Sequence, residues 1–329
     1  MDFLMLSHRT AFRYWIGGHA RFEPAEIRYN LSNGDNLCAA GAIRQLEKTI
    51  PASDPYSRPV DLLVTNRAAR SHSERVISHA WLGELPPGSV CRISDSQLIA
   101  SPAFLYVLLA NRASLQELIA FGTALCSSYP LSNVSRSYTA NPQNSLDKLL
   151  CTKRQIEFLL AKLPNRNGVA KAKRALRWIV EGAASVREAE LAIEFNSPIR
   201  HGGYGFPPFQ LNPAVLLEGT AAKMFGNSKC YPDFLWPKKH LVLEYDSDEY
   251  HSSKVQMQKD ARKRNALTYM GYEVLTYTNE IFSSATKHNA MTEQLREKLV
   301  PREKRDIKPD LRTRRVLAIA AHNIPRGLI

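Results

Sequence analysis

Apolar and polar positions alternate most tellingly in one stretch of this chain. Two short apolar runs, residues 233–236 and 241–246, flank a break of Pro237, Lys238, Lys239 and His240, the pattern of a β-hairpin whose two segments pair. A turn centred on Lys238 and Lys239 sets Trp236 opposite Leu241, Leu235 opposite Val242 and Asp233 opposite Glu244. Strand alternation then puts Val242, Glu244 and Asp246 on one face, and Leu241, Leu243 and Tyr245 on the other. Residues 254–270 contain no proline or glycine and stop at Gly271, where a glycine suits the end of a helix. Residues 272–277, β-branched and aromatic, predict one more strand. The expected order is strand, strand, helix, strand.

This register has a chemical consequence. Asp233 and Glu244 face each other and Asp246 lies on the face of Glu244, so three acids converge although like charges across a strand pair repel. A hard divalent cation with oxygen ligands, such as magnesium, would offset the repulsion. The alternative is a solvated acidic sheet end neutralised by Lys238, Lys239 or Lys254.

Upstream, the patterning predicts an α+β region. Residues 36–46 are alanine-rich and predict a helix; residues 60–65, 76–79 and 90–93 predict strands. Residues 103–110 and 114–126 predict helices, the second opened by Ser114 with Glu117 in a capping-box spacing. Arg67, Arg70, His72 and Arg75 cluster on an expected hairpin tip, either as a solvated loop or as a phosphate-contacting arm. Residues 128–145, rich in Ser, Asn, Tyr and Pro, form the best linker candidate. Helices are expected over 146–163, 169–182 and 185–196, the last capped by Ser185 with Glu188 in a second Ser-x-x-Glu box. Residues 199–213, with Gly202, Gly203 and Gly205, predict an irregular loop along a cleft wall.

Composition narrows the function. With 329 residues the chain is long enough for two domains, and 44 Lys+Arg against 31 Asp+Glu leave a net charge of +13. Such an excess favours a polyanion, nucleic acid first and an anionic membrane second. The longest clean apolar run, residues 103–110, is far short of a membrane span, and the N-terminus lacks a signal-peptide pattern, so a cytoplasmic protein is expected. The 5 cysteines, Cys38, Cys91, Cys126, Cys151 and Cys230, are scattered without a CxxC pair, which argues against a disulfide framework or zinc ribbon.

The run of Pro232, Asp233 and Phe234, then Glu244, Tyr245 and Asp246, then His251, a basic helix, and Gly271 with Tyr272 before a strand resembles the very-short-patch-repair (Vsr)-like endonucleases of the PD-(D/E)XK superfamily, over roughly residues 185–298. The resemblance implies a mixed sheet flanked by helices and hydrolysis of DNA phosphodiesters with Mg2+ or Mn2+. It implies Asp233 and Glu244 as metal ligands, Asp246 and His251 in the cleft, and the upstream helical glutamate at Glu188 or otherwise Glu190. One departure is evident: the lysine expected two residues after Glu244 is Asp246, leaving the positive group to Lys254, Lys259, Arg262 or Lys263, the residues also expected to bind nucleic acid.

The resulting expectation is an α+β protein with four parts. These are an N-terminal α+β domain over 1–140, a helical connector over 141–184, the endonuclease-like domain over 185–298, and a basic tail over 299–329. The competing expectation is a nucleic-acid-binding or regulatory protein that keeps the nuclease-like fold without cleaving, as a defence or toxin-antitoxin component.

Overall fold

The computed structural model describes residues 2–16, 28–29, 36–37, 43, 59–70, 72–129, 149–163, 166–246 and 254–322. The fold is α+β, with two mixed sheets and a two-stranded ribbon among helices.

Among the described residues the N-terminal sheet has seven strands: β1 (Asp2–Leu6), β2 (Arg28–Tyr29), β3 (Asn36–Leu37), β4 (Val60–Val64), β5 (Val76–Ala80), β6 (Val90–Arg92) and β7 (Gln97–Ala100). They run in the order β2-β6-β7-β1-β4-β5, with β3 beside β1. The strands expected over 60–65, 76–79 and 90–93 are β4, β5 and β6. The helix expected from residue 36 does not begin there, because Asn36 and Leu37 pair in parallel with Asp2 and Phe3. A partner strand distant in sequence overrides the local helix preference of that alanine-rich segment. Most of residues 38–46 lie outside the described residues.

Helix α1 (His8–Ile16) packs on β4, and α2 (Pro102–Leu109) and α3 (Leu115–Leu125) follow β7. Ser114 caps α3 as its spacing predicts: Oγ accepts from the Glu117 N–H at 3.2 Å, and the Glu117 carboxylate accepts from the Ser114 N–H at 2.7 Å. Helices α4 (Lys153–Ala161) and α5 (Val169–Leu176) are shorter than expected over 146–163 and 169–182. Thr152 and Gln155 form a capping box that starts α4 late, and Gly182, at φ 86°, lies in non-helical chain beyond α5.

Helix α6 (Val186–Asn196) leads to the second sheet, made of β8 (Gln210–Leu211), β11 (Phe234–Trp236), β12 (Leu241–Asp246) and β13 (Glu273–Thr278) in the order β13-β12-β11-β8. Between β8 and β11, β9 (Val215–Leu216) and β10 (Lys229–Cys230) form the ribbon and embrace α7 (Gly219–Phe225). β11 and β12 make the antiparallel hairpin, and β12 and β13 are parallel, joined through α8 (Lys254–Tyr269). Gly271, at φ 85°, takes the left-handed position after α8 that a side chain would resist.

The hairpin residues alternate between two apolar layers. Phe234, Trp236, Leu241 and Leu243 face the main core, whereas Leu235 and Val242 face a smaller core with Ala266 and Leu267 of α8. In the main core Phe195 of α6 meets Phe234 at 5.7 Å and Phe206 at 5.5 Å between ring centroids, and the Trp236 indole N–H donates to the Pro207 carbonyl at 3.0 Å. Tilted pairs of this kind contribute about 0.5–1.5 kcal/mol each beyond area burial. They fix the orientation of α6, and with it Glu188, against the sheet.

Helices α9 (Asn279–Ser283), α10 (Ala285–Leu299) and α11 (Leu311–His322) complete the fold. The segment expected as a basic tail thus contains α11, which packs on α3 and α6 and buries Leu317, Ala320 and Ala321 in the main core. Gly202, at φ 95°, lies against the Thr313 backbone and admits α11, while Gly203 lies against the Ser197 backbone at the end of α6. That core runs without a break from Phe3 to Ala321. No helix among the described residues is long and apolar enough to cross a membrane.

Candidate functional site

The hairpin adopts the register its sequence implies. Trp236 pairs with Leu241, Leu235 with Val242 and Phe234 with Leu243, and one step further Asp233 comes opposite Glu244. Two backbone bonds hold Asp233: its carbonyl accepts from the Asn212 N–H at 3.0 Å, and its Oδ2 accepts from the Tyr245 N–H at 2.6 Å.

The cation that meets this pair comes from α8. Lys263 Nζ donates to Glu244 Oε2 at 2.8 Å, with 17% and 18% of the two side chains exposed. The expected neutralising residues Lys238 and Lys239 instead sit exposed in the hairpin turn, too far along the strand to face the acids. A residue on a crossover helix reaches the sheet face because β12 and β13 are parallel, which forces the helix across that face.

Glu188 approaches from the first turn of α6. Ser185 Oγ accepts from the Glu188 N–H at 3.1 Å, half of the expected capping box. The other half is not made: Glu188 Oε2 accepts from the Ala184 N–H at 2.9 Å and from Asn212 Nδ2 at 2.6 Å. The carboxyl is thereby aimed toward Asp233 rather than back onto its own N-cap. Glu190, the other candidate, pairs with Arg187 at 2.8 Å. Of the two, Glu188 is the one whose charge couples to Asp233.

Burial shapes the protonation of the group. It pushes Glu244 up to about 8, with the charge of Asp233 adding to the rise and Lys263 opposing it. Burial also raises Glu188 to about 7, again assisted by Asp233 and opposed by the Ala184 and Asn212 hydrogen bonds. Asp233 is raised by burial against the pull of Lys263 and the Tyr245 N–H. For Lys263 burial acts downward, but Glu244 and Asp233 outweigh it and the ammonium is held above its ordinary range. Near neutral pH the cluster stores negative charge poorly unless a cation is added.

The other sequence-predicted residues lie elsewhere. Asp246 closes β12 in an exposed position opposite Thr278. His251 lies outside the described residues, as does the side chain of Lys254. Lys259 and Arg262 are exposed on α8, on the same helix as Lys263 but not at the carboxylates. Sequence reasoning did not find Asn212, whose contact with Glu188 joins residues 24 positions apart, or Asp260, whose charge raises Asp233. Asp260 precedes Lys263 by one helical turn, and that spacing was its only signal.

The donor set suits a hard cation in a limited way. Among the described residues Glu244 Oε1 is buried with no hydrogen-bond partner, and it lies beside the Asp233 carboxyl. Magnesium often takes one or two carboxylates and fills its remaining positions with water and phosphate oxygens. Among the described residues no group of three His, Cys, Asp or Glu side chains is assembled to hold a metal, so any cation would rest on Asp233 and Glu244.

Comparison with known proteins adds little chemistry. No family model matches the chain, and no solved structure matches it. Two uncharacterised proteins of Mycobacterium tuberculosis, from strains CDC 1551 and H37Rv, are each 26% identical over 131 residues, 40% of this chain and 44% of the relative. The chain thus spans less than half the length of these curated relatives.

Proposed function

We propose that the protein is a metal-dependent DNA endonuclease that hydrolyses phosphodiester bonds at the Asp233–Glu244–Lys263 cluster. The observation that carries this reading is the facing carboxylate pair, with a buried Glu244 oxygen that has no hydrogen-bond partner among the described residues, matched by an ammonium that a neighbouring helix delivers. A magnesium or manganese ion held by Asp233 and Glu244 would supply an activated water and charge neutralisation at the phosphoryl group.

The chain's own residues supply the rest. Asp233 is fixed by the Tyr245 N–H, which keeps one of its oxygens directed at Glu244's side of the sheet. Glu188, raised to about 7 and oriented by Ala184 and Asn212, has the affinity to accept a proton from water near neutral pH. Lys263, about one helical turn after Lys259, takes the part of the lysine that the sequence lacks at Asp246, holding positive charge toward the phosphoryl oxygens. Lys259 and Arg262 on the exposed part of α8, together with the net charge of +13, would contact the DNA backbone. Cys91, Cys126, Cys151 and Cys230 are buried and form no disulfide among the described residues, which fits a cytoplasmic setting.

The test is cleavage of supercoiled, linear, single-stranded and mismatched DNA with magnesium or manganese, comparing the wild type with Asp233→Asn and Glu244→Gln. Loss of cleavage in both variants supports the reading; undiminished cleavage in both overturns it.

A second reading is favoured by the Lys263–Glu244 ion pair, which already neutralises one carboxylate. On this reading the protein binds nucleic acid without cutting it. Steeply salt-dependent DNA binding with no turnover in either metal would support it, and multiple turnover would exclude it.

A further inference from the structure

A cleft of about 750 Å3 opens in the N-terminal half, where the β4–β5 pair meets the chain after α2 and the chain between α4 and α5. It is far in sequence from the carboxylates and has the opposite electrostatic character. Arg70, Arg112, Lys162 and Arg166 line it, and among the described residues no carboxylate pairs with any of the four. Arg70 belongs to the basic cluster that the sequence singled out between β4 and β5.

The floor of the cleft is built from histidine. His8 opens α1 at φ 43°, a left-handed backbone that a non-glycine residue adopts only at some cost in energy. Its ring stacks on His79 with 3.6 Å between centroids and 24° between planes. His79 Nε2 is hydrogen-bonded to Asp61 Oδ1 at 2.7 Å, and His8 Nδ1 to the buried Ser7 Oγ at 3.0 Å. Burial, followed by the charge of His79, lowers His8 to about 3, so the floor carries a neutral imidazole. Arg166 is braced as well, its guanidinium 3.8 Å above the Trp81 ring and donating to the Leu82 carbonyl. A stacked, hydrogen-bonded guanidinium keeps its remaining donors pointing in fixed directions.

Among the described residues none of these four cations is paired with a carboxylate, and the one acid of the floor, Asp61, is bonded to His79. From this geometry we infer that the cleft is a second ligand site that binds the phosphoryl group of a small phosphate ester of nucleotide size, with Arg70, Arg112, Lys162 and Arg166 contacting its oxygens. The volume lies within the range of small-molecule pockets, and arginine forks match phosphate oxygens in pairs. The same phosphoryl group occurs on a free nucleotide and at the 5′ end of a nucleic-acid strand. The inference stands independently of the endonuclease reading, since none of its residues belongs to the carboxylate cluster.

Calorimetric titration of the full chain, in EDTA, tests it with four probes: inorganic phosphate, adenosine 5′-monophosphate, and one oligonucleotide in 5′-phosphorylated and 5′-hydroxyl forms. Saturable binding of a phosphate or phosphomonoester probe is expected. Arg70→Gln combined with Arg112→Gln should weaken it about tenfold or more, the effect of losing charged hydrogen bonds, while Lys304→Gln should leave it unchanged. Lys162→Gln, an exposed single change, gives the same readout if the double variant does not fold. Tighter binding of the mononucleotide than of the phosphorylated strand identifies a free ester as ligand. A preference for the 5′-phosphorylated over the 5′-hydroxyl strand identifies a strand end. The inference is overturned if no probe binds saturably, if the Arg70, Arg112 and Lys162 variants bind as the wild type does, or if Lys304→Gln weakens binding equally.

Discussion

Glu188→Gln should make the protein more stable at alkaline pH. A carboxyl whose folded pKa lies above its unfolded value binds its proton more tightly in the folded state. Between the ordinary value of 4.5 and the folded value of about 7, rising pH therefore removes stability, and above that window the full penalty stands. The shift corresponds to at most about 3 kcal/mol at 1.36 kcal/mol per pH unit. Glutamine keeps the shape of the side chain and an oxygen to accept from the Ala184 N–H and Asn212 Nδ2, but it carries no charge to bury beside Asp233. We expect wild type and variant to unfold alike at about pH 5, and the variant to be more stable by about 1–3 kcal/mol at about pH 9, with the difference growing through the window. Urea unfolding followed by circular dichroism at a series of pH values measures this. A stability difference of the same size at every pH would refute the reasoning, because it would mean that shape or hydrogen bonding, not buried charge, separates the two proteins.

Other substitutions probe neighbouring parts of the argument. Lys263→Met removes the ammonium beside Glu244 and should cost about 3 kcal/mol at about pH 9, where Glu244, pushed up to about 8, is ionised and the change breaks a buried ion pair; thermal melts will show it, and saturable restoration by magnesium would support a cation site there. Phe195→Ala empties the centre of the aromatic cluster between α6 and the sheet and should cost about 3–5 kcal/mol in urea unfolding. Gly202→Ala drives a Cβ to 2.3 Å from the Thr313 carbonyl oxygen at a backbone angle of φ 95°. Its expected cost is about 2–4 kcal/mol, with α11 becoming the first segment to exchange amide hydrogens; an unchanged melting midpoint would refute the docking role assigned to Gly202.

Local chemistry made much of the C-terminal sheet legible from the chain alone. The hairpin register followed from the position of Pro237 to His240, because strand side chains alternate with a period of two and one turn fixes every pair beyond it. Asp233 opposite Glu244 is a consequence of that register. The capping box of α3 and the stop at Gly271 were equally readable, since each rests on residues within four positions of one another.

Tertiary structure decided what depends on distant partners. Asn36–Leu37 joined a strand through Asp2 and Phe3, and the supposed basic tail became a helix seated on α3 and α6, because burial of Leu317 and Ala321 is visible only when the core that receives them exists. Glu188 could cap its own helix or look toward Asp233, and sequence spacing was equal for both. Asn212, brought within 2.6 Å by β8, settled it. Four basic residues were candidates to face the acids, and the path of α8 across the sheet brought Lys263 to Glu244 while leaving Lys259 and Arg262 in solvent. The sequence by itself determined which acids share a strand pair, through covalent geometry and alternation. Which cation meets them, and how far burial raises their pKa values, was decided by packing, since electrostatic strength depends on distance and on exclusion of water that only the folded chain provides.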